Sequence, residues 1–366
     1  MATIAQTEAD LADAVRGANG PLRIVGGGTR WIGQIGPAEV LDTSGLSGVT
    51  LYEPGALTLV AGAGTPLAEV DALLASEGQR LPFEVLDMRG LLGGTGVSTL
   101  GGVVAANASG PRRVQVGACR DSLIGVRFVD GTGSIIKNGG RVMKNVTGYD
   151  LVKLLAGSYG TLGILTEVSF KVLPVPEAAM SLVLTGLDDA RAVAAMSAAL
   201  ASPYEVSGAA HWPGKGTFLR IEGFAASVSY RAGRLSALLA DFGPVSAEDD
   251  ATTRWRNIRD VAPFHGLSGD VWRVSVKASD APMIAARAGA DAVAFDWGGG
   301  LIWLLMPQAC DLRARLGQFS GHATRVRGDI TDGIATFHPQ APALQALAKG
   351  LRDTFDPRSI LNSGLM

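Results

Sequence analysis

Four glycine-rich stretches have the composition to hold an anion on the backbone: Gly26-Gly27-Gly28-Thr29-Arg30, Thr99-Leu100-Gly101-Gly102, Gly117-Ala118-Cys119-Arg120-Asp121, and Gly157 to Glu167 through Gly160-Thr161-Leu162-Gly163-Ile164. Without a Cβ, glycine allows positive φ and close approach, so successive N–H groups converge on negative charge. A glycine triplet straight after a buried strand, followed by a hydroxyl and a cation, suits a dinucleotide pyrophosphate. Any one of these glycines is equally at home in a hairpin or bulge of a β-rich domain. Their order along the chain is more specific than any single run. Gly62-Ala63-Gly64-Thr65-Pro66-Leu67 imitates the nicotinamide-dinucleotide fingerprint, but it lacks the third glycine and no acidic residue closes a βαβ unit. No complete Walker A motif occurs, so nucleotide hydrolysis has no support.

The elements that must position these loops read as follows. Thr7 to Ala18 is an amphipathic helix with Thr7 and Asp10 as a capping box. Strands are expected at Leu22 to Val25, Glu39 to Asp42, Val49 to Tyr52 and Leu57 to Ala61, then a helix from Pro66 to Ser76. Asp130-Gly131 joins strands Leu123 to Val129 and Ser134 to Lys137 as a hairpin. Asp150 to Ala156 is a helix ended by Gly157, and Thr161 to Leu173 a strand ending at Pro174 and Pro176. That proline pair marks a boundary. Beyond it a βαββαβ pattern runs twice, once from Leu182 to Ala247 and again from Val271 to Asp329, with a polar helix at Thr252 to Asp260 between the copies. The doubling implies a ferredoxin-like arrangement. In the first copy the second helix is expected at Tyr230 to Phe242, in the second copy at Cys310 to Phe319. A helix from Pro342 to Phe355 precedes the tail.

Composition narrows the function. With 366 residues, 47% hydrophobic and 18% charged, the chain is globular and long enough for two cores. Forty-nine glycines point to tight turns and backbone-lined surfaces. A net charge of −2 without a basic stripe argues against nucleic acid. Met1 to Asp10 has no secretory layout, and no apolar run reaches the length of a membrane span. A cytoplasmic location follows, or a peripheral one at the inner face of the membrane through a partner. The two cysteines, Cys119 and Cys310, cannot ligate an iron–sulfur cluster that needs four thiolates, so any cluster sits on another chain. His211, His265, His322 and His338 are scattered singly, with no metal-ligand spacing.

The order of the glycine runs resembles the FAD-binding domain of the vanillyl-alcohol oxidase and p-cresol methylhydroxylase superfamily. Within it, Ser109-Gly110-Pro111-Arg112-Arg113 and Gly139-Gly140-Arg141-Val142-Met143-Lys144-Asn145-Val146-Thr147-Gly148-Tyr149-Asp150-Leu151 look like the FAD-binding subunits of bacterial glycolate oxidases. The resemblance implies an α+β fold: a PCMH-type FAD-binding domain of two α/β subdomains over residues 1–175, a ferredoxin-like antiparallel cap over 176–330, and a segment 331–366 returning to the FAD domain. It implies FAD held by Gly26, Gly27, Gly28, Thr29, Arg30, Thr99, Leu100, Gly101, Gly102, Gly160, Thr161, Gly163, Ile164 and Asn362. Asn107 either offers its amide to the flavin or caps a turn.

Two departures from the family pattern stand out: Tyr159, where glutamate is common, and Ser363, where proline is usual. The histidine that bonds the flavin covalently in many relatives is absent after the Gly26–Arg30 loop, so the cofactor is expected to be non-covalent. Cys119 reads as a buried inert thiol, and Arg120-Asp121 as an internal ion pair.

Oxidising a 2-hydroxy acid needs a cation for the carboxylate and a base near the hydroxyl. Arg273 and His265 are the nearest such set, with Arg220 on another strand; strand arginines and single histidines also serve structure. The resemblance further implies a related catalytic flavin subunit and an iron–sulfur subunit as partners, with glycolate or another small 2-hydroxy acid as substrate. Two other readings remain open: a self-sufficient FAD-dependent dehydrogenase, and a non-catalytic scaffold.

Overall fold

A computed structural model describes residues 2–140, 148–249 and 251–365. The expected helix forms at Glu8–Gly17, where Thr7 Oγ1 accepts from Asp10 N and Asp10 accepts from Thr7 N. Its face of Leu11, Ala12 and Val15 packs on a small parallel sheet of Thr3–Ile4, Glu39–Asp42 and Leu22–Val25, in that order. A second, antiparallel sheet runs Val49–Glu53, Thr58–Gly62, Ile164–Lys171, Leu123–Val129, Ile135–Gly139. Helices Leu67–Ser76, Leu100–Ala105 and Leu151–Leu155 cover it around Phe128 and Phe170. Asp130 Oδ1 accepts from Thr132 N and Ser134 N, which fixes the hairpin at the expected Asp-Gly.

The third sheet has eight strands in the order Val245–Asp249, Ala178–Leu184, Gly216–Gly223, Val206–Trp212, Ala292–Asp296, Leu301–Met306, Asp270–Val276, Gly321–Arg327. Each half is a βαββαβ unit with its first strand second from the outer edge. The halves join through the single register pair His211↔Phe295. One face carries the helices and buries Trp272, Val274, Ile302 and Leu304. The other packs Val271, Ala294, Leu301, Trp303 and Leu305 against Ile32, Leu86, Met88 and Leu91 of the first half of the chain.

Three elements differ from expectation. The strand expected from Thr161 begins at Ile164, because Thr161 instead closes a turn by donating to Ser158 O at 2.7 Å. The helix placed at Tyr230 to Phe242 runs Ala225–Leu238, its buried face being Val228, Arg231, Ala232 and Leu235. The helix expected at Cys310 to Phe319 is only Leu312–Leu316, since Asp311 caps it and Gly317 takes a positive φ that ends it. Arg141 to Thr147, part of the motif quoted above, lie outside the described residues.

The third sheet is riveted to the remainder by a buried ion lattice. Arg220 reaches Glu84 through Nη1 at 2.8 Å and Nη2 at 3.1 Å. Glu222 accepts from Arg112 at 2.8 Å and Arg80 at 3.0 Å, and Arg112 N donates to Glu84 at 2.7 Å. Asp260 accepts from Asp87 N, Trp297 Nε1 donates to Gly110 O, and Arg327 Nη1 donates to Leu91 O.

Candidate functional site

A cleft of about 1170 Å³ opens where the first sheet, the turn before Ile164–Lys171, the edge of the third sheet and the C-terminal segment meet. Arg23 and Trp31 to Gly36 form one wall; Leu154, Ala156 to Ser158, Thr161 and Leu162 form another. Arg325 to Gly328, Ile330, Gly333 to Gln340, Arg352, Gly364 and Leu365 complete it. No Asp or Glu occurs among the described lining residues, whereas Arg23, Arg325, Arg327, Arg352 and His338 do. Such a cleft, cationic with aromatic and aliphatic walls, suits an anionic ligand with a flat apolar ring system. Arg325 is occupied by Asp270 and Asp332, and Arg327 by backbone carbonyls. Arg23 stacks over Trp31 at 4.5 Å.

Of the residues expected to hold the cofactor, Thr161 lines this cleft, and the others are not among its lining residues. The loops Gly26–Arg30 and Gly96–Ser98 interlock: a Cβ on Gly27 would stand 1.4 Å from Val97 O, and one on Gly96 1.8 Å from Gly27 O. Gly26 lies under Thr99, while Gly28, at φ 66°, faces open space. Arg30 is buried and donates to Thr29 Oγ1, Ser98 Oγ and Leu86 O, which pins the two loops together; burial lowers its guanidinium pKa to about 10. Thr99 caps helix Leu100–Ala105 by accepting from Gly102 N, and Gly101 packs on Ala63. Asn107, at φ 45°, accepts from Arg120 N through Oδ1. Gly163 fits against Phe128, and Ile164 is core. Asn362 is the keystone: it accepts from Ile24 N at 2.8 Å and donates to Tyr159 O at 2.7 Å, while Gly160, at φ 75°, leaves room for its amide. The tail therefore joins two walls of the cleft.

Cys119 is fully buried, and burial pushes its thiol pKa up. Titration of the native protein with a thiol reagent is expected to modify one sulfur, that of Cys310, and the second only on unfolding. Arg120 and Asp121 form the expected ion pair at 3.8 Å.

Arg273 sits on the third sheet's face toward the first half of the chain. Its guanidinium lies 5.0 Å from the Trp297 ring, and that of Arg113 lies 4.7 Å from the same ring. Among the described residues Arg273 has no ion pair within 4.0 Å. Tyr159, half-buried and T-stacked on Phe337 at 5.5 Å, interacts electrostatically with Arg273, and burial raises the Tyr159 pKa. His265 is engaged elsewhere: Nε2 meets Asp260 O at 2.7 Å and the ring lies over Gly90, where a Cβ would be 2.1 Å away. Arg220 is consumed by the ion lattice.

Sequence reasoning passed over Arg23, Phe337, His338 and the Trp31 to Gly36 wall. The repeated Ile-Gly of Ile32-Gly33-Gln34-Ile35-Gly36 was an available signal.

Residues 2–139 match the FAD binding domain family. The glycolate oxidase subunit GlcE of Escherichia coli (strain K12) is 34% identical over 349 residues, 94% of this chain and 92% of that protein. The glycolate oxidase subunit GlcD of Bacillus subtilis (strain 168) is 47% identical over 81 residues, 22% of this chain and 17% of its own length. An alkyldihydroxyacetonephosphate synthase structure superposes with a TM-score of 0.73 at 17% identity, covering 100% of this chain and 77% of that one, which shows a shared fold. The FAD that the resemblance implied is the cofactor of this family.

Proposed function

The chain belongs to the family of the glycolate oxidase subunit GlcE, and from that premise we propose that it is the FAD-binding subunit of an oxidase or dehydrogenase complex acting on glycolate or a similarly small 2-hydroxy acid. The observation that carries this reading is the cationic cleft, without Asp or Glu among its described lining residues, where the first sheet, the turn before Ile164–Lys171, the edge of the third sheet and the tail meet. We divide the chain into 1–175, 176–330 and 331–366 accordingly. FAD would be held there without a covalent bond by Arg23, Trp31 and Thr161, with the Asn362-braced turn fixing the Thr161 wall. Bound FAD supplies the two-electron acceptor. Arg273 holds the substrate carboxylate, because a guanidinium without an ion-pair partner keeps its donors for an anion.

The partners we assign are a related flavin subunit and an iron–sulfur subunit. Two facts support another chain as the site of any cluster: there are only two cysteines, and no group of three or more His, Cys, Asp or Glu fit for a metal occurs among the described residues. No helix among the described residues is long and apolar enough to cross a membrane, which fits a cytoplasmic subunit carried to the membrane by the complex.

The test is an absorbance spectrum of the purified chain before and after acid precipitation, and again with excess FAD. Flavin bound and released by acid supports the reading. A folded chain that takes up none, even on reconstitution, leaves the scaffold reading. For the assembled complex, Arg273→Ala is expected to lower kcat/KM about a hundredfold, roughly 2.7 kcal/mol, mostly through KM. Steady-state kinetics with glycolate and an artificial acceptor check it.

A further inference from the structure

We propose that Asp296 is the residue that takes the hydroxyl proton from a 2-hydroxy acid whose carboxylate is held by Arg273; the inference rests on the flavin-dependent reading above. Register puts the two on one face. Arg273 pairs with Trp303, which pairs with Ala294; Ser275 pairs with Leu301, which pairs with Asp296. Cross-strand partners share a face, and residues two apart in a strand share it too. Ala294, Leu301 and Trp303 lie in the apolar layer between the third sheet and the first half of the chain. Asp296 therefore points into the same seam as Arg273.

The next residue closes the arrangement. Trp297 takes φ 54°, a conformation that a bulky side chain adopts only where its surroundings enforce it. The enforcement is visible: Asp296 Oδ1 accepts from Trp297 N at 2.7 Å, and the indole is held by Gly110 O and by the guanidinium groups of Arg113 and Arg273. One carboxyl thus stands at the root of an aromatic plate that carries two cations. Asp296 is 5% exposed and, among the described residues, has no ion pair within 4.0 Å, unlike Glu84 and Glu222 in the neighbouring lattice.

The charged groups around this carboxyl are Glu84 from the loop after Gln79–Arg80, Arg220 from strand Gly216–Gly223 and Arg273 from strand Asp270–Val276. Arg113, Tyr159 and His322 surround Arg273 in turn. Burial pushes the Asp296 carboxyl up to about 7; the Trp297 N–H and the two arginines draw it down, and Glu84 adds to the rise. A carboxylate poised there is a competent general base at neutral pH.

In the reaction the substrate O–H bond breaks and its proton passes to Asp296. The oxygen electron pair forms the C=O bond as the C2–H bond breaks, and bound FAD would supply the acceptor for that C2–H electron pair. The product is a 2-oxo acid, and Asp296 returns its proton to solvent.

The test measures oxalate binding to the FAD-loaded chain by calorimetry from pH 5.5 to 8.5, which needs no turnover. Oxalate sets a second anionic group where the hydroxyl would lie, so it requires protonated Asp296. The wild-type Kd is expected to be flat below pH 7 and to rise about tenfold per pH unit above it. Asp296→Asn should abolish that slope and bind tightly at pH 8.5, whereas Arg273→Gln should weaken binding at least tenfold at every pH. If Asp296→Asn does not fold, Asp296→Ser, which keeps an acceptor for Trp297 N–H, carries the same expectation. A wild-type slope persisting in the Asp296 variant, or no oxalate binding to a yellow chain, overturns the inference and leaves the flavin reading intact. A folded chain that never takes up FAD overturns both.

Discussion

Replacing Gly27 by Ala is expected to abolish flavin retention and to lower the unfolding free energy by about 3 kcal/mol or more. The added Cβ would fall 1.4 Å from Val97 O, and that atom is backbone, so no side chain can swing aside. Overpacking a fitted contact ordinarily costs about 1–3 kcal/mol, and a clash between two main chains lies at the upper end. Relief requires the Gly26–Arg30 and Gly96–Ser98 loops to part, which breaks the Arg30 bonds to Ser98 and Leu86 and displaces the Trp31 to Gly36 wall of the cleft. Gly28→Ala is the control, since its Cβ meets nothing within 4 Å and only its φ of 66° is strained. Flavin absorbance per chain together with urea unfolding reads both variants. Full flavin content in Gly27→Ala would show that the interlock does not shape the cofactor site.

Arg220→Met should destabilise the fold by about 3–5 kcal/mol, because it strands Glu84 and weakens the field that keeps Glu222 charged. Arg220 is bidentate to Glu84, lies 3.5 Å from Glu222 and stacks over Trp255 at 4.6 Å. Burial works against ionisation of both glutamates, but the arginines outweigh it: Glu84 is lowered, and Glu222 is lowered from 4.5 to about 2. The sign follows directly. A carboxylate whose folded pKa lies below its unfolded value adds stability that is fully present above about pH 4.5 and is lost as pH falls toward 2. Urea midpoints measured from pH 7 down to 3 should therefore fall in the wild type below about 4.5. The double variant Arg220→Met with Glu84→Gln should recover part of the loss at pH 7, since it removes the stranded charge along with its partner. If the single variant unfolds at the wild-type urea concentration, the lattice is not what holds the third sheet in place.

Much of this protein was legible in its sequence because the signals were local. Thr7 and Asp10 sit three apart, which suffices to start a helix; Asp130-Gly131 suffices to turn a hairpin; the doubled strand and helix periods suffice for two βαββαβ units. The glycine runs also suited a dinucleotide ligand. Their individual roles were not legible, because whether a glycine faces a ligand or another strand depends on what crosses it from a distance. Gly27 and Gly28 are adjacent, yet one is wedged on Val97 and the other is open. Arg30 looked like a phosphate cation and is a strut, since its acceptors Ser98 and Leu86 are remote in sequence. His265 and Arg273, eight residues apart, are drawn to different neighbours, and Asp296, unremarked in the sequence, comes to share a face with Arg273 through two intervening register pairs. Local chemistry determined the elements and the class of ligand. Only the tertiary structure decided which long-range partner consumes each charge, because those partners are remote in sequence.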